Sequence, residues 1–313
     1  MPTVSVILPF FNRAGTLPRC VESVRAQSLT DWEAIAVDDG SSDGSVEVLA
    51  NFADGRVRVL RHEQNRGAGP ARDTAIRAAR GEYLAFLDSD DEWLPGKLDA
   101  QVAALEKTTA ALSSCAFLFI RDGTIEHWPK PFDASSWEKA LHRECTFGFG
   151  STLVIRREVA GRLGPFDPEL LRHEDWDWVL RAFEDGEALA FVTEQLARVH
   201  GTDRVRLDAF IPSTHRFLAK HDAELRKFGE DYRGEVHAHH FESIASMAYE
   251  QRRYALGHQY LLRSFRASPR RNPLALAALP LGGVDWLLGT RIIQQAAKLR
   301  RSLNGGDPIE SRA

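Results

Sequence analysis

Three carboxylates lie within four residues at Asp88, Asp90 and Asp91, with Ser89 between the first two. Like charges this close repel one another and cost stability unless a cation gathers them. Carboxylate oxygens are hard ligands that favour Mg²⁺ or Mn²⁺, and these ions in turn bind phosphate oxygens. A solvated turn whose aspartates cap a following helix is the alternative. The position of the cluster directly after a strand-like pattern favours the metal site.

A second acidic pair, Asp38 and Asp39, ends another strand-like pattern and is followed by Gly40. Ser42 or Asp43 can supply the N-cap of a following helix, which explains the end of this segment. Capping does not explain two aspartates directly at the end of a strand. Because an aspartate in that place can accept the imino N–H of uracil or thymine, we interpret the pair as part of a nucleotide site.

Two arginines follow in the next segment of the chain. Arg66 comes directly after Asn65, and Arg72 lies in the helix-like pattern beyond it. A guanidinium at the edge of a phosphate site makes bidentate, charge-assisted hydrogen bonds. Most single arginines are ordinary surface residues, so that alternative stays open.

A third acidic pair, Glu174 and Asp175, lies between His173 and Trp176, with a second tryptophan at Trp178. Aromatic neighbours remove water from a carboxylate, which raises its pKa toward the range useful for a general base. Acids in the first turn of a helix also complement the helix dipole, which is a common structural reason for such residues. The pair is a candidate acid–base group.

Strand and helix patterns alternate through the first hundred residues. Apolar runs predict strands at Val4–Leu8, Ala34–Val37, Val57–Leu60 and Tyr83–Leu87, with a small-residue helix from about Ala68 to Ala79 between the last two. This alternation predicts an α/β fold with a mostly parallel sheet flanked by helices. In such sheets ligands bind at the carboxyl ends of the strands, which is where Asn12 and two of the acidic clusters fall.

The rest of the chain divides into a less regular middle and a helical end. Leu112–Ile120, Leu189–Val192 and Gln195–Val199 are predicted strands, and the spacing of Trp176, Val179, Leu180 and Phe183 predicts a helix. A helix pair is predicted over residues 245–267, with a break near residue 253. We therefore predict one domain over residues 1–206 and an α-helical C-terminal extension over residues 207–313.

Bulk composition narrows the class of protein. The chain has 313 residues, of which 43% are hydrophobic and 27% charged, an ordinary balance for a soluble globular protein. A formal net charge of −4 provides no basic field, so we expect no nucleic-acid partner. The three cysteines form no C-x-x-C pair and predict reduced thiols in the cytoplasm. We expect no signal peptide before the first strand.

Five landmarks follow one another in an order similar to that of the family 2 glycosyltransferases. They are Val4–Asn12, Val37–Asp43, Asn65–Arg72, Gly81–Asp91, and Gly164–Asp167 together with Glu174 and Asp175. The resemblance covers roughly residues 3–205. It departs from the family at Phe11, where many members carry a tyrosine.

The resemblance implies a GT-A fold, with a Rossmann-like, nucleotide-sugar-binding half at residues 1–107 and an acceptor-side half at residues 108–206. It places Asp39 on the nucleotide base and Phe11 against the ring of that base. Asp175 is the implied catalytic base. Further implied contacts to the nucleotide come from Pro9, Asn12, Arg66, Arg72, Asp88 and Ser89, and those on the acceptor side come from Glu174 and Trp176.

The resemblance also implies a divalent cation, Mn²⁺ or Mg²⁺, at the diphosphate of the donor. Asp90, with Asp88 or Asp91, is the implied ligand set. His200 falls where such enzymes can place a further metal or phosphate ligand.

The implied reaction is a single displacement that inverts the anomeric configuration. Asp175 removes a proton from the acceptor hydroxyl, and the cation neutralises charge on the leaving nucleoside diphosphate. The alternative is a catalytically inactive sugar-nucleotide-binding partner subunit, which the complete set of carboxylates disfavours. A Rossmann-type oxidoreductase is disfavoured because Phe10–Arg13, and no G-x-G-x-x-G motif, follows the first strand.

The resemblance favours a UDP- or dTDP-sugar donor and a saccharide or lipid-linked acceptor, in cell-surface polysaccharide or glycolipid synthesis. The apolar stretch Leu274–Ile293 is interrupted by Pro280 and Asp285 and is too short to span ~30 Å of hydrocarbon. With the basic residues beside it, it predicts a peripheral contact with the cytoplasmic face of a membrane. Packing on the protein or a dimer contact is an equal alternative. The sugar, the acceptor and the oligomeric state stay open.

Overall fold

The computed structural model describes residues 1–52, 54–128, 141–145, 147–201 and 206–269. The strands are β1 Val4–Phe10, β2 Trp32–Asp38, β3 Val57–Arg61, β4 Tyr83–Phe86, β5 Glu92–Trp93, β6 Leu112–Arg121, β7 Thr124–Trp128, β8 Val154–Arg156 and β9 Leu189–His200. The helices are α1 Leu17–Arg25, α2 Ser45–Ala50, α3 Ala68–Ala78, α4 Lys97–Glu106, α5 Phe149–Thr152, α6 Arg157–Leu163, α7 Glu174–Glu184, α8 Leu207–Lys220, α9 Asp222–Lys227, α10 Glu230–Glu250 and α11 Tyr254–Ala267.

The strands form one sheet in the order β3-β2-β1-β4-β8-β6-β9-β5, with β7 paired to β6. Strands β3, β2, β1 and β4 are parallel to one another. Strand β8 is antiparallel to both of its neighbours, and β6 and β9 are again parallel. The predicted α/β class is confirmed. Its first half is fully parallel, and its second half is mixed.

Burial explains why the first strands read as continuous apolar runs. Strands β1 and β2 are buried along their whole length. Strands that are covered on both faces lack the apolar–polar alternation of half-exposed strands. On one face, α1 packs Leu17, Cys20, Val21 and Val24 into the core, which is the spacing of a helix stripe.

A glycine brings the end of β2 next to the segment that leads into α3. Gly40 follows β2 with φ 85°, a conformation that favours glycine. A Cβ at this position would meet the backbone of Gln64 and Asn65 at 3.0 Å. The close approach therefore requires glycine, and it places Asp39 beside the backbone of Arg66.

Strand β9 is longer than the sequence indicates. Its residues Thr193 and Glu194 are exposed, and their polar character led us to predict two strands where there is one. The register with β6 shifts at Cys115 and Ala116, so the irregularity is absorbed within the pair. Such irregularities re-aim a strand. Beyond the shift, β9 continues to His200, opposite Ile120 of β6.

The chain divides into two compact units, Met1–His221 and a second one that begins at Asp222. Helix α8, which the sequence analysis places in the C-terminal extension, belongs to the first unit. In the second unit α10 and α11 form a helix pair that breaks where predicted, but α10 begins at Glu230 and not near residue 245. Gly257 lies so close to the ring of Tyr249 that a larger residue would collide with it.

In the part of the chain that the structure describes, no helix has the length and apolar character needed to cross a membrane. Leu274–Ile293 lies outside the described residues, so its contact with a membrane surface stays a prediction.

Candidate active site

The predicted site residues meet around a cleft of ≈ 440 Å³ at the carboxyl ends of the strands. Among the predicted residues, the cleft is lined by Pro9, Phe11, Asp39, Arg72, Asp88, Ser89, Asp90, Asp91, Glu174 and His200. Asn12, Arg66, Asp175 and Trp176 lie outside this lining. Parallel strands deliver their loops to the same edge, which is why residues so far apart in sequence converge there.

Asp39 lies in the part of the cleft that is predicted to bind the nucleotide. Its buried carboxylate accepts the main-chain N–H of Arg66 at 2.9 Å and of Gly67 at 2.7 Å. It is also 2.7 Å from Nδ1 of His62. These contacts hold the loop before α3 in place. Arg66 contributes its main-chain N–H to this arrangement, and its side chain lies outside the cleft lining. Phe11 lines the same part of the cleft with 41% of its surface exposed, enough to receive a planar ring.

Asn12 joins the ends of β1 and β2. It has φ 52°, and its side-chain oxygen accepts the N–H of Ser42 at 2.9 Å, while its own N–H donates to the hydroxyl of Ser41 at 2.9 Å. Asparagine tolerates this left-handed conformation better than most residues. Asn12 therefore shapes the turn behind Phe11.

The loop with the three carboxylates is fastened to α1. The Thr16 hydroxyl donates to the carbonyl of Ser89 at 2.8 Å, and Arg19 donates to the carbonyl of Asp90. On the other side, the Asp88 carboxylate lies against Gly150 of α5, where any Cβ would overlap it. Packing from both sides fixes the direction in which these carboxylates point.

Arginines neutralise the carboxylates that face the cleft. Arg13 lies 3.3 Å from Asp90. Arg72, which is 3% exposed, donates to Asp88 and to Glu174, both at 2.7 Å. Burial opposes the charge of Arg72, but its carboxylate neighbours outweigh burial and raise the pKa of the guanidinium. Arg72 thus ties the nucleotide-side loop to α7 on the acceptor side.

Both oxygens of the Asp91 carboxylate accept hydrogen bonds within the protein. One of its oxygens accepts the main-chain N–H of His200 at 2.7 Å, and the other accepts the Ser151 hydroxyl. Burial, followed by the charges of Asp88 and Asp90, raises the pKa of Asp91 well above its ordinary value. Asp91 therefore positions the end of β9.

His200 lies at the cleft with its ring Nε2 2.9 Å from Oε1 of Glu92. Among the described residues, no group of three or more His, Cys, Asp and Glu side chains is arranged to hold a metal ion. Asp88, Asp90 and His200 nevertheless line one cleft, which they share with Asp39, Asp91 and Glu174.

Asp175 is a half-buried carboxylate in the first turn of α7. Its Oδ1 accepts the main-chain N–H of Trp176 at 2.8 Å. Burial and the charge of Glu174, opposed by Arg72, raise the pKa of Asp175 to about 6. The indole of Trp176 donates to the carbonyl of Leu141 at 2.6 Å and closes the site from behind. A carboxyl group with this pKa suits a general base near neutral pH.

Helix α7 is held from behind by a charged cluster. His221 is buried, with Nδ1 2.6 Å from Glu184 and Nε2 3.2 Å from Asp177. Lys220 and Arg181 also contact Asp177, at 2.7 and 3.3 Å. Two carboxylate partners favour the imidazolium, in which both ring nitrogens donate. Burial lowers the pKa of His221, but these hydrogen bonds outweigh burial and raise the pKa.

The cluster predicts a pH-dependent stability. Because the pKa of His221 is raised on folding, its stabilisation is complete below the unfolded value of ~6.5 and is lost as pH rises through the folded pKa. Thermal unfolding between pH 5 and 9 should show this loss in the wild type. His221→Gln should flatten that part of the curve, and His127→Gln, at an exposed histidine of β7, should not. Parallel curves for wild type and His221→Gln would contradict the assignment.

Four polar residues of the cleft lining were not among the predicted site residues: Arg13, Asn65, Arg121 and Arg172. Arg13 and Asn65 adjoin residues that were predicted, so their position in the landmarks was a usable signal. Arg121 and Arg172 had no such signal, since one ends β6 and the other precedes His173. Only the packing of β6 beside β9 brings Arg121 to the cleft.

The sequence matches known proteins over much of its length. Residues 5–164 match the family described as "Glycosyl transferase family 2". An Escherichia coli protein named UDP-Glc:alpha-D-GlcNAc-diphosphoundecaprenol beta-1,3-glucosyltransferase WfgD is 31% identical over 187 residues, which are 60% of this chain and 72% of that protein. A Bacillus subtilis protein named putative teichuronic acid biosynthesis glycosyltransferase TuaG is 36% identical over 166 residues, covering 52% and 65% of the two chains.

Solved structures share the fold at low sequence identity. The crystal structure of S. aureus TarS 1-349 in complex with UDP-GlcNAc superposes with a TM-score of 0.66 at 17% identity, over 96% of this chain and 92% of that chain. The mannosyltransferase PcManGT from Pyrobaculum calidifontis, in complex with GDP-Man and Mn²⁺, superposes with a TM-score of 0.58 at 19% identity, over 96% and 81%. These likenesses confirm the predicted GT-A fold. From the family match over residues 5–164, the chain belongs to glycosyl transferase family 2 and is a glycosyltransferase.

Proposed function

We propose that this enzyme transfers a sugar from a UDP- or dTDP-sugar to a hydroxyl of a saccharide or lipid-linked acceptor, in the synthesis of a cell-surface polysaccharide or glycolipid. One observation carries the proposal. A single cleft joins the nucleotide-side residues Phe11 and Asp39, the acidic loop at Asp88–Asp91, and Glu174, whose neighbour Asp175 has a pKa of about 6. The name of the E. coli relative specifies a UDP-sugar donor and a diphosphoundecaprenol-linked acceptor, and that of the B. subtilis relative specifies teichuronic acid biosynthesis; both support the proposal.

Asp39 can accept one further hydrogen bond, from a nucleotide base. Asp39 already accepts from His62, Arg66 and Gly67. An ionised carboxylate has about four acceptor sites, so the capacity for one more donor remains. The imino N–H of uracil or thymine fits that capacity, with the ring against Phe11. Adenine and cytosine have no ring N–H to donate here, and the preference for uridine and thymidine over guanosine rests on the resemblance described above.

The donor set of the cleft fits a divalent cation. Asp88 and Asp90 would supply the carboxylate oxygens that Mg²⁺ and Mn²⁺ prefer, and His200 would supply a further ligand. When bound, the ion would neutralise charge on the diphosphate leaving group. Arg13 and Arg72 form ion pairs with Asp90 and Asp88 at 3.3 and 2.7 Å. Asp91 is assigned to positioning His200, because both of its oxygens already accept hydrogen bonds.

Asp175 is the proposed base. It accepts the proton of the acceptor hydroxyl while that oxygen attacks the anomeric carbon, and the sugar's bond to the nucleoside diphosphate breaks in the same step. One displacement of this kind inverts the anomeric centre. Glu174 has one carboxylate oxygen engaged with Arg72 at 2.7 Å, so Asp175 is the first candidate.

Nucleotide binding and transfer together test the proposal. Thermal unfolding is measured with UDP, dTDP, GDP and ADP, each with Mn²⁺ and with EDTA. UDP or dTDP with Mn²⁺ should stabilise the fold by ~2.7 kcal/mol at 100 times its dissociation constant. Stabilisation by none of the four would contradict the proposal. Binding without sugar transfer or donor hydrolysis would instead identify a catalytically inactive partner subunit.

A further inference from the structure

Two arginines of the cleft lining have no carboxylate partner among the described residues. Arg13 is paired with Asp90, and Arg72 with Asp88 and Glu174. Arg121 and Arg172 line the same cleft, are exposed, and make no ion pair with a carboxylate in the part of the chain that the structure describes. Positive charge in this part of the lining is thus in excess over its local counter-charge.

Both arginines contact neighbouring residues at the edge of the cleft. Arg121 ends β6, with its guanidinium 5.0 Å from the ring centre of Phe119 and its Nε against Gly201, where a Cβ would overlap it. The main-chain N–H of Arg172 donates to the hydroxyl of Ser213 on α8 at 3.2 Å. The contacts of the Arg121 side chain lower the entropy it loses on binding a ligand, and the hydrogen bond of Arg172 fixes its backbone.

Their place in the chain assigns them to the half predicted for the acceptor. The acidic loop at Asp88–Asp90 belongs to the predicted nucleotide-side half, residues 1–107, whereas Arg121 and Arg172 belong to residues 108–206. Arg172 precedes the proposed base Asp175 by three residues, and Arg121 lies against Gly201. Leu171, 61% exposed and also in the lining, adds apolar surface beside Arg172.

We propose that Arg121 and Arg172 form a phosphate subsite for the acceptor, so that the sugar to be extended carries a phosphate or diphosphate group. The inference rests on the proposed function, because it assigns this half of the cleft to the acceptor. Guanidinium groups bind phosphate through paired, charge-assisted hydrogen bonds. The phosphate could belong to a lipid carrier or to a phosphorylated glycan, and the chemistry recognised is the same.

Binding of small phosphate probes tests the subsite directly. Calorimetry in EDTA compares a short-chain alkyl diphosphate, inorganic diphosphate and the neutral alkyl alcohol. The alkyl diphosphate should bind, and the alcohol should not. Arg121→Gln and Arg172→Gln should each weaken binding about tenfold and the double variant about a hundredfold, since each removes a charge-assisted contact. Lysine variants should lose less, because they keep the charge and lose the planar fork.

The controls separate this subsite from the donor site. Arg162→Gln, at an exposed arginine of α6 paired with Glu187, should leave every affinity unchanged. UDP affinity with Mn²⁺ is measured on the same variants and should be unaffected. Unaltered alkyl diphosphate binding in the double variant, or no binding by wild type, would overturn the subsite. If the double variant loses UDP binding and keeps alkyl diphosphate binding, the arginines belong to the donor site, and the acceptor subsite is likewise overturned.

The same binding data distinguish the two sources of the phosphate and separate this subsite from the proposed donor chemistry. Alkyl diphosphate binding well above that of inorganic diphosphate points to a lipid carrier, and equal binding of the two points to a phosphorylated glycan. Both support the phosphate subsite. If no nucleotide binds but the arginine-dependent diphosphate binding persists, the proposed donor chemistry fails while the anion site stands.

Discussion

Asp175→Asn is expected to lower the turnover number by about 10²–10⁴, the usual contribution of a general base. The amide keeps the shape and the hydrogen bond from the Trp176 N–H, but it has no basic oxygen. Because Asp175 lies on the acceptor side and outside the cleft lining, the dissociation constant of the donor should barely change. Steady-state rates of transfer and calorimetric titration of the nucleotide measure the two quantities.

The pH profile gives an independent check on Asp175. The base works when deprotonated, so the turnover number should rise with pH through about 6 and then level off, following the raised pKa of this carboxyl. Asp175→Asn should lose that rising limb. Near-normal turnover in Asp175→Asn would mean that another group is the base. Glu174→Gln is then the variant to measure, although its ion pair with Arg72 makes it a weaker candidate.

Asp90→Ala is expected to abolish turnover and the enhancement of nucleotide binding by Mn²⁺. Asp90 faces the cleft and is paired there with Arg13, so its loss removes a proposed ligand and leaves a positive charge in its place. Calorimetry of UDP with Mn²⁺ and with EDTA measures the enhancement in wild type and variant. The thermal unfolding midpoint should change little, because the loop is also held through the carbonyls of Ser89 and Asp90.

The matched control for Asp90 is Asp185→Ala, at an exposed aspartate that follows α7. It removes the same charge away from the cleft and should leave both turnover and metal-enhanced binding intact. Equal affinity of wild type for UDP in Mn²⁺ and in EDTA would exclude a metal role for Asp90. A variant that loses its fold, seen as a large drop in the unfolding midpoint, would instead place Asp90 among the structural residues.

Local features of the sequence determined most of the architecture. Apolar runs identified β1, β2 and β4, because strands buried on both faces carry apolar side chains at most positions. The stripe at Leu17, Cys20, Val21 and Val24 identified α1 in the same way. Since parallel strands end at one edge, the sequence also indicated that the acidic clusters after β2 and β4 would meet. The structure confirms that they share a cleft.

Tertiary structure alone decided which of these side chains pair with one another. Arg72, predicted to face a phosphate, joins Asp88 and Glu174, which are 16 and 102 residues away in the sequence. Asp39 is engaged by the backbone of Arg66 and Gly67. Arg121 and Arg172 reach the cleft although no pattern marks them. Periodicity and residue type indicate whether a position is buried. The partner of a charged side chain depends on how distant segments pack against each other. The free energy of that packing is a property of the whole fold.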